Sequence, residues 1–265
     1  MTTRILISIL AIGLFFTCAF SGRQVNSKAM NTVDFKKLDT LISFSGYWLS
    51  ESYFNDIKKY KSPKKAQNNS EFIVIPSRTR KPVMMLLDFH EGDPYLTILK
   101  NGTKYQLWVF QNDSISEASN EIPIFNSNEI QIISPTVIKI GDVKFVKINC
   151  IAKNENQYMI LEEILFQGRY TNAKGNNIEF KNNGEVIGLD SFHYYRPNDD
   201  YYDEGMQVDQ VSLVKSEKDI DWFGFKFKND TLELYKLNCI AFDSTSHNCG
   251  EVELGQMIYK LWRKE

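Results

Sequence analysis

The stretch "FSGYW" at residues 44–48 recurs as "FQGRY" at residues 166–170. Both stretches have a phenylalanine, a glycine two positions later, and an aromatic residue two positions after the glycine. A glycine at this place permits a bent strand start, and an aromatic residue suits a pleated, half-buried surface. The recurrence indicates that one structural unit occurs twice in the chain.

Two more landmarks follow each copy in the same order. The phrase "KINCIA" at residues 147–152 recurs as "KLNCIA" at residues 236–241. The segment "MILEEILF", from Met159, corresponds to "MIYKLWRK", from Met257, and we interpret each of these segments as the closing strand of its unit. Three landmarks in one order predict two tandem units.

A turn signal precedes each copy of the repeated phrase. Gly141 and Asp142 separate two alternating runs in the first copy, and Asn229 and Asp230 do so in the second. Both places are predicted to be hairpins. The apolar alternation then changes phase in each copy, which predicts a β-bulge at the same place in both strands.

Short runs with alternating apolar residues fill the rest of both units, as in "YWLSESYF", "EFIVI" and "VDQVSLV". Asn, Gly and Asp residues separate these runs, so we predict meandering antiparallel strands. About eight strands per unit is the number that closes into a small barrel. The predicted fold is all-β, with two tandem antiparallel barrels or half-open barrels after a signal peptide and a short helix.

The N-terminal segment is typical of an export signal. Arg4 precedes the apolar run "ILISILAIGLFF", which has the length of a signal-peptide core and is too short to span a bilayer comfortably. "LFFTC" ends at Cys18 and is similar to a bacterial lipobox, whereas "AFS" offers ordinary cleavage after Ser21. We therefore expect an exported protein, either an outer-membrane or periplasmic lipoprotein that is anchored to the membrane through Cys18, or a secreted protein.

The predicted domain limits follow from these landmarks. Residues 1–21 are the signal peptide, residues 22–31 are a polar tether, residues 32–165 are the first β domain and residues 166–265 are the second. The stretch "NTVDFKKLDTLISF" has apolar residues at helical spacing, so the short helix is expected at the start of the first domain.

Charge and cysteine content narrow the partners and the compartment. A formal net charge of −2 gives no excess of positive charge for binding a phosphate backbone, so we expect no nucleic-acid partner. In an oxidising compartment, Cys239 and Cys249 are the preferred disulfide pair and Cys150 stays free and buried. The alternative is that all three cysteines are small buried apolar residues.

The first strand of each unit resembles that of the lipocalins and the wider calycin superfamily. The residues that carry the resemblance are Gly46, Tyr47 and Trp48, with a degenerate second copy. The resemblance implies a barrel of about eight antiparallel strands, closed at one end by the tryptophan.

In that family, a basic residue of the last strand lies across the tryptophan. The second copy consists of Gly168, Arg169 and Tyr170, and the resemblance implies that Arg263 takes this position over Tyr170. The first copy departs from the family pattern, because its predicted closing segment "MILEEILF" carries two glutamates where a cation is expected.

Catalytic and metal-binding patterns are scarce. Only three histidines occur, and we find neither a nucleophile elbow nor a close Ser and His pair, so we expect no enzyme, no catalytic residue and no cofactor. His90 lies in an acidic cluster at an expected strand end, where charged residues are usually only solvated. The acidic tract "RPNDDYYDEG" lacks the spacing of a calcium loop, so we expect no metal.

Aromatic residues are the best ligand-binding candidates. Phe192 and the neighbouring tyrosines are expected at a barrel mouth, and at most one residue of the pair Tyr194 and Tyr195 faces inward, because adjacent strand residues point to opposite faces. The candidates are Trp48, Tyr170, Phe192 and Tyr194. The leading hypothesis is a barrel protein that binds a small apolar ligand or peptide; the alternative is an envelope interaction or inhibitor module with filled barrels.

Overall fold

Antiparallel strands in two large sheets make up most of the described chain. The computed structural model describes residues 45–66, 72–75, 83–86, 95–111, 114–117, 125–149, 152–154, 157–201, 207–243 and 248–264. The predicted signal peptide, tether and first helix lie outside these residues, as do Cys18, Cys150, His90 and the predicted cleavage site.

The first sheet has nine strands. Its order is β4-β3-β2-β1-β9-β8-β7-β5-β6, and β4 also pairs with β5, so that eight of the strands form a ring of pairings. The strands are β1 (Gly46–Ser50), β2 (Phe72–Ile75), β3 (Val83–Leu86), β4 (Tyr95–Asn101), β5 (Lys104–Gln111), β6 (Ser114–Glu117), β7 (Glu129–Ser134), β8 (Val137–Ile140) and β9 (Val143–Ile148).

The second sheet has eight strands in the order β14-β13-β12-β19-β18-β17-β16-β15. Its two ends meet at a bridge between Glu185 and Tyr194, which leaves a nearly closed barrel. The strands are β12 (Gly168–Thr171), β13 (Asn177–Phe180), β14 (Val186–Ile187), β15 (Tyr194–Pro197), β16 (Gln210–Ser216), β17 (Asp219–Lys228), β18 (Thr231–Asp243) and β19 (Asn248–Arg263). The prediction of an all-β fold with two tandem antiparallel barrel-like sheets is confirmed.

Three helical segments and a small two-stranded sheet complete the described structure. They are α1 (Glu51–Tyr60), α2 (Pro63–Ala66), the pair β10 (Ala152–Asn154) and β11 (Gln157–Tyr158), and a π-helical segment, Glu162–Phe166. The prediction that "YWLSESYF" is one strand was wrong, because the strand ends at Ser50 and α1 follows. Tyr53 and Ile57, four residues apart, bury one face of α1, which favours the helix.

The predicted closing strand of the first unit is also wrong. "MILEEILF" contains the π-helical segment Glu162–Phe166, and the strand that closes the first ring beside β1 is β9. The π-helical segment delivers Phe166, which is fully buried, to the core at the start of the second barrel. The two repeated phrases are therefore not equivalent, because the first begins in the last two residues of β9, a closing strand, and the second lies in β18, the strand before the last.

Both predicted hairpins are present, as β8–β9 and β17–β18. At the predicted place, between Leu234 and Tyr235, the register of β18 against β19 does shift, but the extra residue is Ile258 of β19 and β18 pairs continuously with β17. In β9, the register against β1 and β8 is continuous, so no matching bulge exists there.

Two hydrophobic clusters form the core. One lies inside the first ring and includes Trp48, Leu107 and Phe145. The larger cluster fills the second barrel and continues through α1 to the outer face of β1 and β2, where Leu49 and Phe72 are fully buried. The described residues belong to one compact unit, and the described parts of the two predicted domains share this larger cluster.

Candidate functional site

Each barrel has the same arrangement of a glycine, an aromatic ring and a cation. Trp48 on β1 pairs in register with Lys147 on β9, and the Lys147 Nζ lies 5.5 Å from the centre of the Trp48 ring. Tyr170 on β12 pairs with Arg263 on β19, and the Arg263 Cζ lies 5.3 Å from the centre of the Tyr170 ring. Arg263 thus has the position that the resemblance implied, and Lys147 supplies the cation that the first unit seemed to lack.

The two glycines make room for these cations. Gly46 has a φ of 133°, and a Cβ atom there would lie 2.5 Å from the Lys147 Cε. Gly168 has a φ of 152°, and its Cβ would lie 3.2 Å from the Arg263 Nε. Because L-residues rarely adopt such φ values, both positions favour glycine for conformation as well as for space.

Arg263 connects the bottom of the second barrel to the segment before it. Its Nη2 donates to the carbonyl oxygens of Leu165 at 2.8 Å and Gln167 at 2.9 Å, and to the Tyr170 hydroxyl at 2.8 Å. The Tyr170 hydroxyl in turn donates to the Phe166 carbonyl at 2.9 Å. Burial raises the pKa of Tyr170 although Arg263 opposes the shift, so the hydroxyl stays neutral and available as a donor.

Aromatic rings fill the interior of the second barrel. Phe166 lies at the centre, with ring centroids 5.0 Å from Phe225, 5.4 Å from Tyr195 and 5.9 Å from Phe180. Phe180 also packs edge-to-face on Tyr170 at 5.4 Å. These distances are those of directly packed aromatic pairs, so the rings occupy the space that a ligand would need.

The other end of the second barrel is covered as well. Phe223 packs edge-to-face against Phe192 and also against Tyr259, with both centroid distances 6.0 Å. The Tyr259 hydroxyl donates to the Asp190 carboxylate at 2.6 Å. Lys215 lies over the Phe192 ring, with its Nζ 5.0 Å from the centroid. The second barrel is therefore closed at both ends by packed side chains.

A trough lies on the outer face of β15, β16 and β17. Alternation along these strands points Tyr195, Leu213 and Phe225 into the core and leaves their neighbours outside. The outward residues form two cross-strand rows, Tyr194–Val214–Ile220 and Arg196–Ser212–Trp222. In both rows the central strand carries the smaller side chain, so β16 forms the floor of the trough and the side chains of β15 and β17 form its walls.

The trough has a volume of about 540 Å³, within the range of small-molecule sites. Its apolar walls are well exposed, since Tyr194 is 48%, Ile220 48% and Trp222 50% exposed. The floor residue Ser212 is buried and its hydroxyl donates to the Arg196 carbonyl at 3.3 Å. The remaining lining comes from two more residues of β15, three residues of the segment after it, and two residues across the barrel closure: Tyr195, Pro197, Asn198, Asp199, Asp200, Met159 and Gly184.

Acidic groups lie at one end of the trough. Asp199 and Asp200 are partly buried and line the trough beside the exposed Arg196. Burial raises the pKa of the Asp199 carboxyl, and the positive charge of Arg196 offsets this shift only in part. The trough therefore combines apolar aromatic walls with a partly desolvated carboxylate.

Behind this end, a polar cluster attaches the segment to the helices. Asp209 accepts a hydrogen bond from the Lys64 backbone N–H at 2.9 Å, and burial raises its pKa in spite of this contact and one from Ser62. The Tyr201 hydroxyl accepts the Gln210 backbone N–H at 2.9 Å. The cluster joins the residue before β16 to α2, and it joins the start of β16 to Tyr201 at the end of the described acidic segment.

The structure separates the four predicted ligand-binding residues. Trp48 and Tyr170 are buried at the barrel ends, under Lys147 and Arg263, and Phe192 is buried at the covered end of the second barrel. Tyr194 alone of the four lines the trough. Tyr195 faces inward and Tyr194 outward, as the alternation predicted.

No group of three His, Cys, Asp or Glu side chains within the described ranges is placed to hold a metal ion. Of the acidic tract, the described residues Asp199 and Asp200 line the trough; the other two acidic residues of the tract lie outside the described residues. His193 is exposed, next to β15.

A disulfide joins Cys239 and Cys249, the pair that the sequence favoured, with a sulfur–sulfur distance of 2.02 Å. β17 pairs with β18 only as far as Lys236. Beyond this residue, β18 and β19 continue as a two-stranded hairpin, and the disulfide crosses this extension. On this hairpin arm, residues 237–243 and 248–254, Ile240 is 54% and Phe242 64% exposed.

Sequence reasoning missed most of the trough. Trp222, Ile220 and Arg196 were not predicted as binding residues, because an apolar or charged residue at a single position of a strand does not indicate a site. One signal was present: in "DIDWFGFKFK" the outward positions at the start of the strand are the apolar Ile220 and Trp222, whereas the last two outward positions are lysines. An apolar residue on the outward face is a reason to expect a contact surface.

Comparison with known proteins gives no relative. No protein-family model matches the chain, and neither a curated protein nor a solved structure matches it. Among the residues that the structure describes, no helix is long and apolar enough to cross a membrane.

Proposed function

We propose that this chain is a non-enzymatic binding protein that acts through its outer surface, with the trough as the principal site. The main observation behind this proposal is that packed aromatic rings fill the second barrel, whereas an open trough of about 540 Å³ lies on its outer surface. A ligand inside the barrel would have to displace Phe166 and its neighbours, whereas the trough is ready to receive one.

The ligand that fits the trough is a small apolar molecule or an apolar side chain of a peptide. Neighbouring strands are about 4.8 Å apart, so the walls on β15 and β17 stand about 10 Å apart at their backbones. With contact distances of about 3.5–4 Å to each wall, a group about 6 Å across can contact both walls above the Val214 and Ser212 floor. Tyr194 and Trp222 offer ring faces for such a contact.

A binding role, without catalysis, is supported by the chemistry of the lining. The one hydroxyl of the floor, Ser212, already donates to the Arg196 carbonyl, and the described lining has no histidine beside it to act as a base.

The hairpin arm favours a second candidate function, an interaction with another envelope protein. Ile240 and Phe242 are exposed on a two-stranded extension that the Cys239–Cys249 disulfide stiffens. Exposed apolar side chains on a projecting hairpin are typical of contact surfaces between proteins. In this alternative, the arm and not the trough is the main contact.

Export and anchoring belong to the same proposal. The disulfide supports an oxidising compartment, which fits a chain with an export signal. Lipid attachment at Cys18 is tested by Cys18→Ala, which should release the protein from the membrane fraction, and by the mass of a diacylglyceryl group in native mass spectrometry. Unchanged partitioning of Cys18→Ala would refute the anchor and favour the secreted form.

A lipocalin-like origin of each barrel is also a proposal. It is supported by the paired arrangements of Trp48 with Lys147 and Tyr170 with Arg263, which place a basic residue of the closing strand across the aromatic residue of the first strand. A filled interior would then mean that the fold has moved its binding surface from inside the barrel to outside.

The trough is tested by titration with the neutral apolar dye N-phenyl-1-naphthylamine, followed by its fluorescence. We expect saturable binding that Tyr194→Ala/Trp222→Ala reduces at least about tenfold, because both aromatic walls are lost. Ile132→Ala, at an exposed apolar residue of the first sheet, is the control and should leave binding unchanged. Equal binding by wild type and the trough variant would contradict the proposal.

A further inference from the structure

The ends of the trough differ in charge. Asp199 and Asp200 line one end, and Arg196 is the one cation among the described residues that line the trough. Two carboxylates against one guanidinium leave the lining with an excess of negative charge, which disfavours an anionic ligand and favours a cation.

Asp199 is incompletely compensated. It is partly buried, and burial raises its pKa more than the positive charge of Arg196 lowers it. A carboxylate in this situation gains from a further positive charge, because the added ion pair offsets the loss of water around it.

The aromatic walls suit the same kind of group. Tyr194 and Trp222 are each about half exposed on opposite sides of the floor. A guanidinium or ammonium group within about 6 Å of such a ring face is attracted by the ring electrons, and tryptophan is the strongest partner. The protein already uses this contact elsewhere, since Lys147 lies over Trp48 and Arg263 over Tyr170.

We propose that the trough binds an extended segment of a partner polypeptide in which an arginine or lysine lies next to an apolar side chain. The apolar side chain contacts Val214 and Ile220, and the cation lies between the ring of Trp222 and the carboxylates of Asp199 and Asp200. This inference rests on the proposed function and specifies the ligand class of the same site.

The experiment uses two matched peptides and isothermal titration calorimetry. One is acetyl-Gly-Phe-Arg-Phe-Gly-amide, and the other has citrulline, an uncharged analogue of nearly the same shape, in place of arginine. For wild-type protein we expect the arginine peptide to bind about 3- to 10-fold more tightly, with the difference shrinking as salt is raised.

Variants locate the effect. In Asp199→Asn/Asp200→Asn, the ratio between the two peptides should fall to about one. Glu217→Gln/Asp230→Asn makes the same change in net charge at exposed residues outside both the trough and the hairpin arm, and should keep the wild-type ratio. Circular dichroism confirms that each variant is folded.

The outcomes separate this inference from the proposed function. Equal affinity of the two peptides, or no saturable binding of either one to a protein that still binds the neutral dye in the trough, overturns the cation preference and leaves the trough as a binding site. A ratio that survives Asp199→Asn/Asp200→Asn also overturns it, because the preference then has another source.

Discussion

Arg263 lies across the ring of Tyr170 and donates a hydrogen bond to its hydroxyl at 2.8 Å. The same guanidinium donates hydrogen bonds to the carbonyl oxygens of Leu165 and Gln167. The Arg263 side chain therefore joins β12 and β19, the first and last strands of the second barrel, to the π-helical segment that precedes β12. This contact closes the bottom of the second barrel and helps to hold Phe166 inside it.

We expect Arg263→Met to lower the free energy of unfolding by about 1–2 kcal/mol, because three acceptors lose a charged donor. Urea denaturation followed by circular dichroism measures the change. Lys236→Met, at an exposed lysine of the neighbouring β18, is the control and should shift the free energy by less than about 0.5 kcal/mol. A loss no larger than the control would mean that the guanidinium contacts add little to the fold.

Gly46→Ala should destabilise the first barrel by about 1–3 kcal/mol, because it combines an unfavourable φ of 133° with a clash against Lys147. Gly102→Ala is a useful comparison, since Gly102 has a φ of 62° and nothing within 4 Å of an added Cβ. Thermal unfolding should therefore show a larger decrease in Tm for Gly46→Ala. If the decreases are equal, the contact with Lys147 has no energetic weight.

Reduction of the Cys239–Cys249 disulfide should loosen the hairpin arm more than the barrel. Closing a loop with a sequence separation of 10 stabilises the folded state by about 2–3 kcal/mol, because it restricts the unfolded chain, and the arm lies beyond the part of β18 that pairs with β17. Hydrogen exchange with mass detection should become faster in residues 237–254 and change little in β16 and β17. Uniformly faster exchange in both regions would show that the arm and the barrel unfold together.

Acid should weaken the outer face of the second sheet through Glu233. This residue is buried, and a hydrogen bond from Tyr235, together with Lys228, lowers its pKa below the ordinary value of 4.5. A lowered folded-state pKa means that the stabilisation is complete above the unfolded-state pKa and is lost as pH falls through the lowered value. Glu233→Gln should therefore flatten the decrease in stability below about pH 4.5, as urea midpoints measured across pH 2–7 would show.

The sequence was sufficient for the two-unit β fold because the landmarks around Gly46 and Gly168 are local and each implies a first strand. It did not predict which segment closes the first unit. "MILEEILF" resembles "MIYKLWRK" in letters, yet Phe166 has to enter the core of the second barrel, and tertiary packing selected a π-helical turn. The helix α1 had a signal in the four-residue spacing of Tyr53 and Ile57, which the preceding strand pattern concealed.

Of the residues that line the trough, the sequence predicted only Tyr194 as a ligand-binding residue. The shape of the trough depends on which outward residues become neighbours, and that is set by the register of β15, β16 and β17. Sequence spacing gives the face of a residue within its own strand, but it does not place Trp222 in the row of Arg196. For the same reason Trp48 was an attractive ligand candidate, although the register places it under Lys147.

The central claim is that binding takes place outside the barrels, and the indole N–H signals test it most directly. The chain has four tryptophans, at positions 48, 108, 222 and 262, so a ¹H–¹⁵N correlation spectrum assigned by single Trp→Phe variants gives one signal for each. On titration with the arginine peptide or N-phenyl-1-naphthylamine, the account predicts a progressive, saturable shift of the Trp222 signal and no change at Trp48. A shift of Trp48 with Trp222 unchanged would contradict it.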